Sequence, residues 1–537
     1  MTTPSANYAE QMLKQLNTHN YENLAEYFEV ACAQFTDRVA FRCLGMDLNF
    51  EQLERLSRAF AVYLLEDCGL QAGDRVAVQL PNINQYPVVA WAVLRAGLVL
   101  VNTNPMYTAR ELTHQFNDSG ARVLVVLSDL LPSTAAVIPN TKIERVIVTN
   151  IGDMRVSQPI AKVAIEQVTH LADALTQCDG SPLPPVHTSL SDVAALQYTG
   201  GTTGVAKGAV LTQGNIFASA MQSWSALDVD PAEREIIIAP MPLYHIYGFT
   251  WNLVSCCLRG AMSILIPDPR DIGGMVHTMK ANRFTSMAGV NTLFAGLMRH
   301  PQFDEIDFSG VTGSIAGGAA LVSSIASEWQ RRTGSQLFEG YALSETASAL
   351  TCNTPDHNKL GTVGKMLPSM QVKVVSPEGE ALGADCEGEL LVRGPNVFQG
   401  YWGRPAATLE AIDADGWFRT GDVAVIQTDG FIRVVDRIKD MILVSGFNVY
   451  PNEIEDVVCG HQSIVECAVV GVADARTGEA VKVFAVKQDP TLTAQQLRDF
   501  CRQQLTGYKV PRYFEFLDAL PKSNVGKILR RELRVEA

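Results

Sequence analysis

The chain has 537 residues, of which 47% are hydrophobic and 19% charged, and its formal net charge is −14. That length exceeds what one core can hold, so two to four domains are expected, and the composition excludes a disordered chain. The acidic balance argues against general nucleic-acid binding, so anionic ligands must be held by local clusters of donors.

The N-terminus, Met1-Thr2-Thr3-Pro4-Ser5, has neither a basic nor an apolar region, so no signal peptide is expected. A helical run opens at Leu48-Asn49-Phe50-Glu51-Gln52-Leu53 and continues through Ala61. Residues 75–80 predict a strand, 88–96 a helix ending at Gly97, and 123–127 and 146–148 two more buried strands. This alternation predicts doubly wound α/β layers built on parallel sheets. The most apolar stretches, 87–101 and 253–267, are broken by Arg95 and Arg259. Both fall short of the roughly 20 residues that span a bilayer, so they read as buried core. Residues 179–185 are rich in Gly and Pro and read as a surface connection. Eleven cysteines are scattered without CxxC spacing, only Cys256 and Cys257 being adjacent, which suits reduced thiols.

The buried strand at 193–197 leads into Tyr198-Thr199-Gly200-Gly201-Thr202-Thr203-Gly204-Val205-Ala206-Lys207-Gly208. Glycines let backbone N–H groups converge on an anion, threonine hydroxyls add donors, and the lysine adds a mobile positive charge. This is the composition of a polyphosphate cradle, although a flexible turn between core elements would look similar. It is not a Walker A loop, because Gly208 rather than Ser or Thr follows Lys207.

Further on, residues 236–239 form a strand before Tyr244-His245-Ile246-Tyr247, where His245 reads as a pocket residue or, slightly favoured, a hydrogen-bonded core histidine. Gly317 and Gly318 mark a small-residue run where backbone approaches a ligand or a packed element. In Glu339-Gly340-Tyr341-Ala342-Leu343-Ser344-Glu345, an aromatic precedes a carboxylate by four residues, which suits base stacking and a hard cation. An ordinary turn into a helix would look the same. From 361 to about 437, glycine-punctuated strands predict a compact β subdomain carrying Thr420-Gly421-Asp422. The charge run Asp436-Arg437-Ile438-Lys439-Asp440 reads by default as a solvated connection, and it is also where a hinge would be tolerated. The remainder is α+β by pattern: a helix over 454–458 opened by Pro451 and Glu453, strands at 465–472 and 480–487, and a Thr493/Gln496 capping box. It ends in a loop with Lys527 after Gly526, and such a lysine is usually just solvated.

Taken as an ordered set, the Thr/Gly loop, 339–346, Thr420-Gly421-Asp422, 436–440 and 522–527 resemble the adenylate-forming superfamily across nearly the whole chain. Residues 196–208, 441–456 and 505–511 look like the bacterial long-chain fatty acyl-CoA synthetases within it. The resemblance implies a large AMP-binding unit over 1–437, a hinge at 438–440 and a mobile C-terminal lid over 441–537. It implies ATP-dependent activation of a fatty acid to an acyl-adenylate, then transfer to coenzyme A, with Mg²⁺ required.

By the same resemblance, Thr199, Gly200, Gly201, Thr202, Thr203, Gly204 and Lys207 would cradle the β- and γ-phosphates, with Thr199 and Glu345 near Mg²⁺. Tyr341 would stack on adenine within the 339–344 wall that Glu339, Gly340 and Ser344 help form, and Gly317 and Gly318 would line the acyl and adenine pockets. Asp422 would hold the ribose, with Arg437 beside it. Lys527 would bridge carboxylate and α-phosphate, and His245 would gate access to the adenylate. Rotation at Lys439 would exchange Lys527 for the face of Ser445, Gly446 and Phe447 on the coenzyme A side. Four departures from the family pattern, Gln213-Gly214-Asn215, Ala342, Ala319-Ala320 and a shorter stretch between Gly152 and Asp192, leave acyl-chain length open. The competing readings are a ligase of the same fold acting on a medium-chain or aryl acid, one loading a carrier protein, and a silent nucleotide- or lipid-binding relative. The chain is expected in the cytoplasm; a homodimer and a peripheral contact with the inner face of the membrane stay open.

Overall fold

Runs rich in Val, Ile and Leu and buried on both faces pair as parallel strands, as they must where helices cover a sheet on each side. The computed structural model describes residues 11–152, 168–199, 206–227, 234–523 and 526–535. A seven-stranded sheet runs in the order Val168–His170, Arg145–Thr149, Val123–Leu127, Arg75–Gln79, Val99–Asn102, Val193–Thr199, Lys207–Thr212. It is parallel up to the final antiparallel hairpin.

A nine-stranded sheet has the parallel centre Leu337–Tyr341, Gly313–Ala316, Ser286–Gly289, Ile236–Ala239, Met262–Leu265, Val39–Cys43. Its antiparallel edges are Met46–Asn49 on one side and Thr351–Cys352 with Lys365–Met366 on the other. The doubly wound α/β expectation holds.

The apolar stretch around residue 90 is a helix, Gln85–Arg95, buried at every residue. It packs against the helices Leu24–Gln34 and Phe50–Glu66, and Trp91 stacks on Phe28 at 4.1 Å. Arg95 closes it inside the protein, its guanidinium meeting Glu29 at 2.9 Å and Glu54 at 2.8 Å, so that the buried charge is paired. Among the described residues, no helix is long and apolar enough to cross a membrane.

Several element ends lie a few residues from expectation, and two helix starts show why. Residues 46–49 are a strand, and the helix starts at Phe50, because Asn49 and Gln52 form a capping box there. Leu48 mimics the helical period because it enters the same core from the strand. The helix expected over 88–96 begins at Gln85, its first turn accommodating Pro87, whose missing N–H costs nothing there.

Beyond residue 370 lies a four-stranded antiparallel sheet of Gln371–Val375, Glu387–Arg393, Phe418–Ile426 and Ile432–Arg437. A five-stranded sheet follows, in the order Phe447–Val449, Ile442–Val444, Gly478–Lys487, Ile464–Asp474, with Tyr513–Phe516 alongside Gly478–Lys487. The helices Pro451–Cys459 and Ala494–Arg502 contribute Ile454, Val458, Leu497 and Cys501 to its core, and the Thr493/Gln496 capping box forms. The charge run at 436–440 is not simply solvated: Asp436 is 2% exposed, while Lys439 is open. Asp436 can be buried because the N–H groups of Arg437 and Asn452 and the Arg530 guanidinium all bond its carboxylate.

Candidate active site

In parallel sheets, the loops leaving the carboxyl ends of the strands collect on one side, where ligands are bound. Here the loops after Ile236–Ala239, Ser286–Gly289, Gly313–Ala316 and Leu337–Tyr341 line one cavity of ≈ 3270 Å³, together with Thr199 and Lys207. That is several times the roughly 300–1,000 Å³ of a single ligand pocket, and so has room for a nucleotide and a second substrate. Across its mouth, the same cavity is walled by Asp422, residues 433–440 and the loop bearing Lys527.

Of the Thr/Gly loop, Gly200, Gly201, Thr202, Thr203 and Gly204 lie outside the described residues. Its two ends are fixed, because Thr199 and Lys207 pair across the antiparallel hairpin. The Lys207 amine sits 5.1 Å from the centre of the Tyr401 ring, and the Tyr401 hydroxyl donates to Glu345 Oε1 at 2.8 Å. Tyr401 therefore links the two charged groups. It is held there because the Trp402 N–H bonds the Gly208 carbonyl and the Val210 N–H bonds the Gly400 carbonyl. Sequence reasoning missed Tyr401. Burial raises the pKa of the Glu345 carboxyl above its ordinary value, with the Tyr401 bond opposing it.

On the opposite wall, Asp422 and Arg437 are cross-strand partners in register. Arg437 Nε lies 3.3 Å from Asp422 Oδ1, and the Tyr341 hydroxyl donates to Oδ2. Burial raises the Asp422 pKa, with Arg437 and the Tyr341 bond opposing it.

Glu339 is 7% exposed, and its Oε1 accepts the Leu321 N–H at 2.9 Å. Burial pushes this carboxyl up to about 8. It thereby pins the loop after Gly317 and Gly318, and a Cβ at Gly317 would meet the Tyr247 ring at 3.1 Å. Gly340 and Ser344 also line the cavity.

His245 is not a core histidine. It is half-buried at the cavity wall, and its Nδ1 accepts the Tyr247 N–H at 3.3 Å. Burial, followed by the charge of Lys527, lowers it to about 4, so the ring is neutral at physiological pH. Lys527 is likewise no ordinary surface lysine. Its side chain is accessible from the cavity and surrounded by protein, and burial, then Arg437, lowers its amine to about 8. Lys439, at the same wall, is lowered to about 8 for the same two reasons.

Ser445, Gly446 and Phe447 do not line this cavity. They form the turn of the hairpin Ile442–Val444/Phe447–Val449, and Phe447 stacks on Tyr508 at 4.6 Å. The departures in sequence have structural partners. Gln213 Oε1 accepts the Leu24 N–H at 2.9 Å, and Asn215 Nδ2 donates to the carbonyls of Pro395 and Val397 at 2.8 and 2.9 Å.

No His, Cys, Asp or Glu cluster able to cage a metal occurs among the described residues. A single carboxylate such as Glu345, beside the Tyr401 hydroxyl, would suit a magnesium ion that keeps most of its ligands from phosphate and water.

Comparison with known proteins agrees with this arrangement. Residues 28–402 match the model of the AMP-binding enzyme, and residues 453–527 match that of the AMP-binding enzyme C-terminal domain. The long-chain-fatty-acid–CoA ligase of Escherichia coli O157:H7 is 45% identical over 548 residues, covering 99% of this chain and 97% of that one. A feruloyl-CoA synthase from Amycolatopsis is 34% identical, covering 92% and 95%. The crystal structure of ATP-bound MatB from Rhodopseudomonas palustris superposes with a TM-score of 0.83 at 29% identity, covering 96% of this chain and 99% of that one.

Proposed function

We propose, for a chain that belongs to the AMP-binding enzyme family, that it is an ATP-dependent long-chain fatty acyl-CoA ligase working in two steps at one cavity. In the first, a carboxylate oxygen of the fatty acid attacks the α-phosphorus of ATP, and the bond to pyrophosphate breaks. In the second, the coenzyme A sulfur attacks the acyl carbonyl, AMP leaves, and the thiol proton passes to solvent. The observation that carries this reading is the convergence of Lys527, the Asp422–Arg437 pair and Glu345 on a single cavity, because both steps need charge on phosphate and carboxylate oxygens offset where it develops.

Lys207 and the loop before it hold the β- and γ-phosphates, and Thr199 and Glu345 would hold magnesium, which would neutralise polyphosphate charge. Tyr341 stacks on adenine. Asp422, kept in place by Arg437 and the Tyr341 hydroxyl, accepts the ribose hydroxyls. Lys527, as an ammonium, offsets the charge of the carboxylate and α-phosphate as they approach. Neutral His245 packs beside the adenylate without adding a competing positive charge. Residues 1–437 form the adenylation unit, 438–440 the hinge and 441–537 the lid, and rotation about Lys439 brings Ser445, Gly446 and Phe447 toward the adenylate for the second step. An acid drawn from a bilayer makes contact with a membrane surface part of this reading.

The relatives support a long-chain acid over an aryl one, since the fatty-acid ligase is 45% identical against 34% for the feruloyl enzyme. The test is acid-dependent pyrophosphate release, with and without coenzyme A, from acetate to oleate plus coumarate and benzoate. A peak on long saturated or monounsaturated acids, with turnover requiring coenzyme A, is the expected result. A peak on aryl acids would overturn the substrate, and no release with any acid would overturn the activity.

A further inference from the structure

Lys527 sits on a short loop closed on itself: the Ser523 N–H bonds the Lys527 carbonyl at 2.7 Å, and Lys522 and Ile528 form a bridge. These two ties hold Lys527 to its own stretch of chain, and what matters is how that stretch is seated. Two contacts seat it, one on each side of Lys527.

Immediately before it, the Thr292 hydroxyl donates to the Gly526 carbonyl at 3.1 Å. Thr292 belongs to the distant helix Asn291–Arg299, so this bond ties the loop to the nine-stranded layer. The approach is so close that a Cβ on Gly526 would lie 2.8 Å from Thr292 Oγ1, and Gly526 holds φ +79, a region that other residues rarely adopt.

Three residues after Lys527, the Arg530 guanidinium spans the other side. Its Nη1 meets Asp436 Oδ1 at 3.2 Å, its Nε and Nη2 meet Glu455 at 2.9 and 2.6 Å, and Nη2 donates to Asn452 Oδ1 at 2.5 Å. The Asp436 side chain is 1% exposed, so this contact has little competition from water. Asp436 also accepts the Arg437 N–H, and Arg437 pairs with Asp422. The seat of the lysine and the carboxylate assigned to the ribose are thus joined through one buried aspartate.

We propose that Thr292 and Arg530 are positioning residues that seat Lys527 for the adenylation step alone, and that both contacts are given up when the lid turns for the second step. This rests on the two-step reading above. Neither residue touches the reacting atoms in this role. They set where the Lys527 ammonium stands, and a displacement of about 1 Å in such a group costs on the order of 100-fold in rate. The competing explanation is that Arg530 merely holds the C-terminal fold together, since Glu455 and Asn452 lie in that same stretch and removing one member of a buried charge cluster is strongly destabilising. Thr292 separates the two. It makes no hydrogen bond that the C-terminal fold needs for itself, and valine replaces its hydroxyl at nearly constant shape.

The experiment measures the half-reactions separately in the full chain, adenylation by oleate-dependent ATP–pyrophosphate exchange and transfer by oleoyl-CoA formation from supplied oleoyl-adenylate. Thr292→Val is expected to lower the exchange kcat about five- to tenfold, the worth of one hydrogen bond, with the KM for ATP within about twofold and transfer unchanged or faster. Arg530→Lys keeps the charge but loses the fork, and is expected to lower exchange further in the same direction while sparing transfer. Equal loss of both half-reactions in Thr292→Val, or unchanged exchange in it while the wild type exchanges normally, would overturn the seat alone. Absence of exchange in the wild type with every acid would overturn the two-step reading and the seat with it.

Discussion

Lys527 and His245 face the same cavity with depressed pKa values, and the signs give a pH profile. With Lys527 lowered to about 8, its ammonium is present below that pH and lost above it. Adenylation, which uses the charge, is expected to fall as pH rises through about 8. Oleoyl transfer from supplied adenylate keeps no such limb, because Lys527 is absent from that step. His245, lowered to about 4, stays neutral above pH 5 and contributes no acid limb near 6. Parallel pH profiles of the two half-reactions would contradict the separation of roles. Asp422→Ala removes an acceptor that two neighbours hold in place, and is expected to raise the KM for ATP roughly 10- to 100-fold, the cost of hydrogen bonds to a charged group. Unchanged ATP affinity would count against its ribose role. At this scale, the sequence pointed to Glu345, Asp422, Arg437 and Lys527 through the ordered set of motifs that carries the family resemblance, each motif being ambiguous alone, and the structure brings all four to one cavity. Tyr401 was illegible: an aromatic after a glycine has no local signature, and its place comes from bridging to 208–210 far earlier in the chain.

Elements were legible wherever one period dominated. The buried strands Val123–Leu127 and Val193–Thr199 stand where expected, and so does the Thr493/Gln496 cap. Legibility failed where two elements share one core, as at Leu48, and where a helix departs from the common period, as in the π-helical Gly248–Ser255 beside His245. The helix Gln85–Arg95 looked like core from its composition, and the structure gives the reason in Trp91, wholly buried against Phe28 with its Nε1–H on Cys257 Sγ at 3.4 Å. Trp91→Ala is expected to destabilise the protein by about 3–5 kcal/mol, read from urea unfolding. A loss below about 1 kcal/mol would mean that this helix is not the centre of its core.

For the whole molecule, parallel layers were readable from the alternation of patterns, whereas the disposition of the C-terminal stretch was not. No periodicity encodes which face a jointed unit turns toward a cavity. In this structure Lys527 faces the cavity, and Phe447 stands outside it against Tyr508. That is the arrangement the proposed adenylation step calls for, with Thr292 in contact at one point and Asp436 at another. Its central consequence is that the same cavity performs transfer without Lys527. The most direct test is Lys527→Ala, assayed for ATP–pyrophosphate exchange with oleate and, separately, for oleoyl-CoA formation from supplied oleoyl-adenylate. This separation of roles predicts exchange lost by at least about 100-fold with transfer within a few-fold of wild type. Equal loss of both would contradict it.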